Sequence, residues 1–293
     1  MLRSLALLAL AVPALARADY LAVCGWDEVF LLDLDRNPPA KVWTWKAAGR
    51  SDLPAQLHDK FRSTDECKPV DGGRRILVTS SSDGVAMIEY PSGRVTFYAQ
   101  AANAHSAELL PNNRIAVAAS HRPNAEGDRL ILFDLDKPGQ PLYHTELTWA
   151  HGAVWDAQRQ ILWALSGVDL RAYRLKNWNS SAPELEKLAA YPLPDGGGHD
   201  LQPVPSSDDL TITSGKRCWR FNRESRRYSP HPQLGAQADV KCISQNPATG
   251  QTLWIQAEGR NWWTEKLRFL NPERIIQLPG ERLYKARWMP SGR

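Results

Sequence analysis

The chain has 293 residues, with 36 Lys and Arg against 32 Asp and Glu, so its formal net charge is +4. This surplus is small and no basic tail is present, which argues against a nucleic-acid partner. The length suits one large repeat domain or two ordinary domains.

The first eighteen residues are typical of a secretory signal peptide. Arg3 gives a positive start, residues 5–15 give a short apolar core, and Ala16-Arg17-Ala18 fits a cleavage site. The apolar run is too short to span a bilayer, and no later segment is suited to do so. We therefore expect a periplasmic or secreted protein whose single domain covers residues 19–293.

Short apolar runs broken by turn residues predict strands through most of the remaining chain. Three strands are expected first, in residues 20–24, 28–33 and 42–45. An irregular insertion follows in residues 47–64, with a helical turn expected near residues 54–60. Five four-stranded units then begin near residues 66, 105, 151, 199 and 239. A last strand, in residues 283–288, has no partners after it.

Repeated units of short antiparallel strands predict an all-β fold, a six-bladed β-propeller. The three N-terminal strands lack an opening strand, and the strand at residues 283–288 lacks companions. We expect these to join in one sheet and close the ring, which would remove two exposed sheet edges.

A fifteen-residue step recurs in three successive units. It separates His105 from Ser120, His151 from Ser166 and His199 from Ser214. Since the opening strand of each propeller blade lines the central channel, side chains at its start meet at one mouth. The ring predicted there consists of Lys68, His105, His151, His199, Lys241 and Lys285.

The three imidazoles are candidate metal ligands and candidate catalytic groups. His105, His151 and His199 would supply a divalent Mn, Zn, Fe or Ni ion with nitrogen ligands and leave positions open for substrate. Asp200 or Glu108 would fix the tautomer of a metal-bound imidazole by accepting a hydrogen bond from its other ring nitrogen. The alternative is that each histidine only hydrogen-bonds a neighbour.

The three lysines predict an anion site. Lys68, Lys241 and Lys285 would concentrate positive potential in a narrow channel, with Arg122 and Trp26 at the rim as further ligand-binding groups. Arg suits carboxylates, and Trp faces suit sugar rings. In the alternative interpretation, nearby carboxylates neutralise the lysines, with Glu66 and Asp239 placed two residues before Lys68 and Lys241, and the rim Trp side chains only pack blades.

Four cysteines allow two disulfides in an oxidising compartment. The preferred pairing is Cys24–Cys67 with Cys218–Cys242, and buried free thiols are the alternative.

The motifs His-[Ser/Gly]-Ala, at residues 105–107 and 151–153, and Gly-His-Asp-Leu, at residues 198–201, resemble an uncharacterised family of secreted bacterial six-bladed propellers. The histidine-lined centre is also similar to that of oligogalacturonate lyases, whose axial histidines and a glutamine hold a Mn ion that binds the uronate carboxylate. That similarity covers His105, His151 and His199. Gln202 and Gln256 are the candidates for the glutamine, and the blade count differs.

The function expected from these patterns is a monomeric propeller with an axial site for an acidic carbohydrate or another small anionic ligand. The resemblance implies metal-assisted β-elimination if the protein is an enzyme, and the sequence leaves open whether it is one. The alternative is a non-catalytic scaffold or sensor of the cell envelope that binds a protein partner.

Overall fold

The computed structural model describes residues 19–123 and 126–290, so the predicted signal peptide at residues 1–18 lies outside the described residues. These residues form six antiparallel sheets of four strands each. The sheets follow one another around a ring, which confirms the prediction of an all-β, six-bladed propeller.

Blade 1 combines three N-terminal strands with the last strand of the chain. Its strands are β1 Tyr20–Gly25, β2 Glu28–Asp33, β3 Ala40–Lys46 and β24 Lys285–Trp288. Blades 2 to 4 each use four consecutive strands. These are β4 Thr64–Val70, β5 Arg75–Ser80, β6 Gly84–Glu89 and β7 Val95–Gln100; β8 Ala104–Leu110, β9 Arg114–Ala119, β10 Arg129–Asp134 and β11 Pro141–Glu146; and β12 Gly152–Asp156, β13 Ile161–Leu165, β14 Asp169–Lys176 and β15 Glu184–Pro192.

Blades 5 and 6 complete the ring in the same way. Their strands are β16 Gly198–Pro203, β17 Asp209–Ser214, β18 Cys218–Asn222 and β19 Arg227–Pro230, then β20 Val240–Gln245, β21 Thr252–Gln256, β22 Lys266–Leu270 and β23 Arg274–Gln277. The chain also has two short 3-10 helices, Ala55–Phe61 and Asp71–Gly73, the first where a helical turn was predicted. Within the described residues, no helix has both the length and the apolar character needed to cross a membrane.

The hydrophobic core is divided into six clusters, one between each pair of neighbouring blades. Middle strands are covered on both faces, so they read as continuous apolar runs rather than alternating ones. Strand β2, for example, is buried from Val29 to Asp33. Each blade therefore buries its apolar faces against both neighbours.

Closure occurs where the chain ends meet. Strand β24 pairs antiparallel with β1, with Ala22 opposite Arg287 and Cys24 opposite Lys285. The predicted joining of the two chain ends is confirmed, and β24 covers the edge that β1 would otherwise leave open.

The disulfide prediction was wrong, because all four cysteines are buried free thiols. Cys218 and Cys242 belong to two different core clusters. Cys24 and Cys67 share one cluster, where the Sγ of Cys67 lies 3.8 Å from the carbonyl oxygen of Lys285. Burial raises the pKa of Cys218 and of Cys242 to about 12, which keeps both thiols protonated.

Ring closure predicts a large stability effect at Trp288. Its indole is buried against Phe269, and its Nε1 donates to the carbonyl of Ser244 at 3.2 Å. We expect Trp288→Ala to lower the free energy of unfolding by about 3–5 kcal/mol through the cavity it leaves. Chemical denaturation would measure this. Trp149→Ala is the control, since that indole is 52% exposed; equal losses in both variants would contradict the closing role of β24.

Candidate functional site: the axial pocket

Six side chains, one from each blade, surround one mouth of the central channel. Together with Ser81 and Trp262 they line a pocket of about 200 Å³. In blade order they are Tyr284, Asp65, His105, His151, His199 and Lys241.

β-Bulges place most of these side chains. In blade 3, Ala104 pairs with Ala119 and Ser106 with Ala118, which leaves His105 as the extra residue. Blades 2, 5 and 6 have the same irregularity at Asp65, His199 and Lys241. A bulge bends its strand and re-aims the extra side chain, so the repeat delivers one side chain per blade to the mouth.

The predicted ring was wrong at two positions. Lys285 lies one residue beyond Tyr284, and Lys68 lies three residues beyond Asp65, so both belong deeper in the channel. A signal for Asp65 was present, since the fifteen-residue step also separates it from Ser80. Tyr284 had no such signal, because the strand that pairs with its own lies at the other end of the chain.

A cluster of paired charges forms the floor beneath the pocket. Arg287 binds Glu66 through two nitrogens at 2.9 Å each, and it binds Asp200 at 2.6 and 3.1 Å. The ammonium of Lys285 is 3.3 Å from Asp200. Lys68 contacts Glu108 at 2.7 Å. Three cations therefore balance three carboxylates.

The sequence assigned these floor residues other roles, and their contacts correct that assignment. Asp200 and Glu108 bind cations, so neither orients an imidazole. Lys68 and Lys285 are held by carboxylates, as the alternative interpretation allowed. Burial by itself would raise the pKa of Glu66, but Arg287, Lys285 and Lys68 together lower it to about 2.

The three predicted histidines do come together at the mouth. The ring centroids of His105 and His151 are 4.3 Å apart with the planes inclined by 24°, and His199 meets His151 edge-on at 5.4 Å. The Nδ1 of His151 is 2.8 Å from the carbonyl oxygen of Trp149. A carbonyl only accepts, so this nitrogen carries the proton and Nε2 stays free to accept.

Burial keeps the imidazoles of His151 and His199 neutral. It lowers the pKa of His199 to about 3, with a further contribution from the neighbouring Lys241. It also lowers the pKa of His151 well below the usual value, helped by repulsion from His105 and His199. The pocket therefore presents uncharged nitrogen donors and acceptors at neutral pH.

Lys241 is the cation that the floor does not balance. It is only 7% exposed, and among the described residues no carboxylate forms an ion pair with it. Its ammonium lies 3.4 Å from the Nε2 of His199. Burial lowers the pKa of Lys241, and Asp239 opposes that effect only partly. The predicted neutralisation of Lys241 by Asp239 is thus incomplete.

The histidines are poorly arranged for a divalent metal. Two of the rings are stacked, so their nitrogen lone pairs lie in nearly parallel planes, and a metal ion near His199 would meet the Lys241 ammonium. In residues 19–123 and 126–290, no three His, Cys, Asp or Glu side chains form a group able to hold a metal ion. Neither Gln202 nor Gln256 lines the pocket.

The two rim residues predicted to bind ligand have protein partners. Arg122 forms an ion pair with Asp83 at 2.7 Å. Trp26 stacks on Trp262 with the ring centroids 5.1 Å apart, and Trp262 itself lines the pocket. Trp26 therefore supports the wall of the pocket from behind.

Three larger cavities, of about 590, 510 and 390 Å³, lie elsewhere on the molecule. Arg268 in the first is bound to Glu258, Arg129 in the second to Glu126 and Lys46 in the third to Asp27. The axial pocket is smaller, but it alone of these four combines imidazoles held neutral by burial with a buried ammonium that has no carboxylate partner among the described residues, so we regard it as the candidate site.

Over residues 18–292 the sequence matches the model of DUF6528, a family of unknown function. The chain belongs to that family. Among curated proteins, none matches it. A chain from the crystal structure of a nidogen/laminin complex is similar in fold, with a TM-score of 0.61 at 15% identity, covering 94% of this chain and 100% of that one. At that identity the likeness concerns the propeller fold alone.

The floor cluster predicts a strong effect at Arg287. Arg287→Met would leave Glu66 and Asp200 short of a buried counter-charge, so we expect a loss of about 3–5 kcal/mol in the free energy of unfolding. Urea denaturation at neutral pH would measure it. The matched control is Arg174→Met, because the 62% exposed Arg174 side chain pairs with Glu186 at the surface, where the loss should be about 0–1 kcal/mol. A loss at Arg287 no larger than the control would contradict the pairing.

Stability should also depend on pH through His199. Its folded pKa of about 3 lies below the unfolded value, so between pH 7 and pH 5 only the unfolded chain gains a proton there. The free energy of unfolding should therefore fall as pH falls through that range. His199→Gln should make this dependence on pH less steep, which thermal unfolding at several pH values would measure. His231, outside the pocket, has a pKa lowered by burial to about 4, so His231→Gln should flatten it separately. An unchanged slope in His199→Gln would refute burial of a neutral imidazole.

Proposed function

We propose that the axial pocket binds a small hydroxylated carboxylate, and that the carboxylate is that of a sugar acid. The observation that carries this proposal is Lys241, a buried ammonium with no ion-pair partner among the described residues. An isolated buried cation is costly, and a bound carboxylate would remove that cost.

The ring of side chains is polar in a way that suits a sugar acid. Lys241 and His199 stand at one end, and Asp65 stands at the other, with its Oδ1 3.2 Å from the Nδ1 of His105. A ligand carboxylate would be attracted to the lysine and repelled by Asp65, whose oxygens suit sugar hydroxyl donors. The imidazoles between them carry ring nitrogens that can form hydrogen bonds with further hydroxyls.

The size of the pocket limits what can enter it. Its volume of about 200 Å³ lies below the ~300 Å³ at which pockets for drug-sized ligands begin. One acidic sugar unit would fit this volume better than an oligomer. The paired charges of Arg287, Glu66 and Asp200 lie below it in the channel.

A lyase activity is the second candidate, favoured by the lowered pKa of Lys241 next to an unprotonated His199 nitrogen. In β-elimination a base removes the proton next to the uronate carboxylate, the electron pair forms a carbon–carbon double bond, and the glycosidic oxygen leaves with a proton. A neutral amine or imidazole in the pocket would be the base. Unsaturated product, followed by its absorbance on uronate polymers, tests this candidate.

The proposed function predicts that Lys241→Met strongly weakens acid binding. Isothermal titration calorimetry would compare galacturonate and glucuronate with the neutral sugars galactose and glucose. We expect the wild-type protein to bind at least one of the acids and neither neutral sugar. Loss of the buried charge pair should weaken binding by about 2 kcal/mol or more, which is about thirtyfold. Met keeps the length of the side chain, so the fold should persist.

Lys176→Met is the matched control, since the Lys176 side chain is 55% exposed at the end of β14, away from the pocket lining, and should not affect binding. Equal affinity in Lys241→Met and wild type would refute the proposal, as would failure of the wild-type protein to bind any sugar acid. That second result would favour a scaffold that binds a protein partner. The structurally similar chain comes from a complex of two proteins, nidogen and laminin.

Elemental analysis of untagged protein tests for the predicted Mn, Zn, Fe or Ni ion. Repeating the sugar-acid titration in EDTA then shows whether binding needs a metal, and binding that survives EDTA supports direct recognition by Lys241.

A further inference from the structure

Two tryptophans near the axial pocket are exposed, although most large apolar side chains of the described residues are buried. Trp149 is 52% exposed and Trp262 is 39% exposed. Trp262 lines the pocket directly. Trp149 stands two residues before His151, and its backbone carbonyl oxygen accepts a hydrogen bond from the Nδ1–H of that histidine. Both residues therefore belong to the surroundings of the candidate site.

Each exposed indole is backed by a second aromatic ring. His121 stacks on Trp149 with the centroids 5.0 Å apart and the planes inclined by 22°. Trp26 stacks on Trp262 at 5.1 Å and 15°. One face of each exposed ring is thus covered, and the exposed area belongs to the rest of the indole.

Asp128 fixes the first of these pairs. One of its carboxylate oxygens accepts from the backbone N–H of Trp149 at 2.6 Å, and the other lies 2.8 Å from the Nδ1 of His121. The second pair is braced by Arg282, whose guanidinium lies over the Trp26 ring at 4.3 Å. Side chains held this firmly lose little freedom on binding, which favours affinity.

The backbone is strained at both places. Trp149 has φ of 52° and Trp26 has φ of 56°, a conformation that costs a bulky residue about 1–3 kcal/mol. Gly167 makes room for Trp149, because a Cβ at that glycine would lie 2.6 Å from the Cβ of the tryptophan. Asn103, Gly197 and Asp239, at the same place in three other blades, also have positive φ, so this turn belongs to the repeat and presents the residue that occupies it.

We propose that Trp149 and Trp262 are sugar-stacking platforms beside the axial pocket, so that the ligand is an acidic oligosaccharide. This inference rests on the proposed function. One uronate unit enters the pocket, and neighbouring units lie across the rim with their C–H faces on the indoles. Two single indoles, on loops of blades 4 and 6, suit separate sugar rings. Each is a single exposed ring backed by one other aromatic side chain, which matches the face of one sugar ring.

The test compares chain lengths. Galacturonate, glucuronate and mannuronate would be titrated as monosaccharides and as their trisaccharides. We expect at least one trisaccharide to bind about tenfold more tightly than its monosaccharide, because each stacked ring removes apolar surface from water. Trp149→Ala and Trp262→Ala should each bring the ratio of the two affinities close to one. The double variant should show no preference for the longer chain.

Leu188→Ala is the control, since this 40% exposed side chain lies on β15, an outer strand, and the ratio should keep its wild-type value. Equal affinities for mono- and trisaccharides in the wild-type protein would overturn the platforms and leave the pocket intact. A ratio unchanged in Trp149→Ala would also overturn them and favour a protein partner at this rim. A third outcome is that Trp149→Ala weakens trisaccharide binding while Lys241→Met does not. This result would overturn the proposed acid-binding pocket and support the stacking platforms.

Discussion

The pairing of Arg287 with Glu66 and Asp200 is the interaction on which the centre of the molecule depends. These residues come from blades 1, 2 and 5, so one guanidinium joins three blades across the channel. All three side chains are almost fully buried. Charges in such surroundings persist only when each has a counter-charge and hydrogen bonds, which a planar guanidinium supplies to two carboxylates at once.

Arg287 lies on β24, the strand that closes the ring by pairing with β1. The final strand therefore completes the blade 1 sheet and also balances the charges in the channel. Because Lys285 and Lys68 compensate the remaining carboxylates, the floor is formally neutral. Lys241 stands above this floor without a partner of its own among the described residues, and that contrast makes the mouth, rather than the channel, the candidate site.

The propeller alone is compatible with many functions, as are most repeat folds. The feature of this member of DUF6528 that bears on function is a ring of side chains that includes Asp65, the imidazoles of His105, His151 and His199, and Lys241. The backed indoles of Trp149 and Trp262 extend the same mouth outward. A hydroxylated acid with further sugar units attached would use all of these features.

The sequence by itself determined the blade number, the joining of the chain ends and the meeting of His105, His151 and His199, because these follow from repeats and apolar runs along the chain. It could not place Tyr284 or the floor charges, and we predicted Lys68 in place of Asp65 although the fifteen-residue step to Ser80 marks Asp65. A bulge shifts the register by one residue, and every side chain beyond it changes face. The ion pairs of Lys68 and Lys285, and the lack of one at Lys241 among the described residues, depend on which blades face each other across the channel. These are long-range contacts, which no local sequence pattern predicts. The free thiols and the backing of Trp149 by His121 likewise depend on distances that only the closed ring defines.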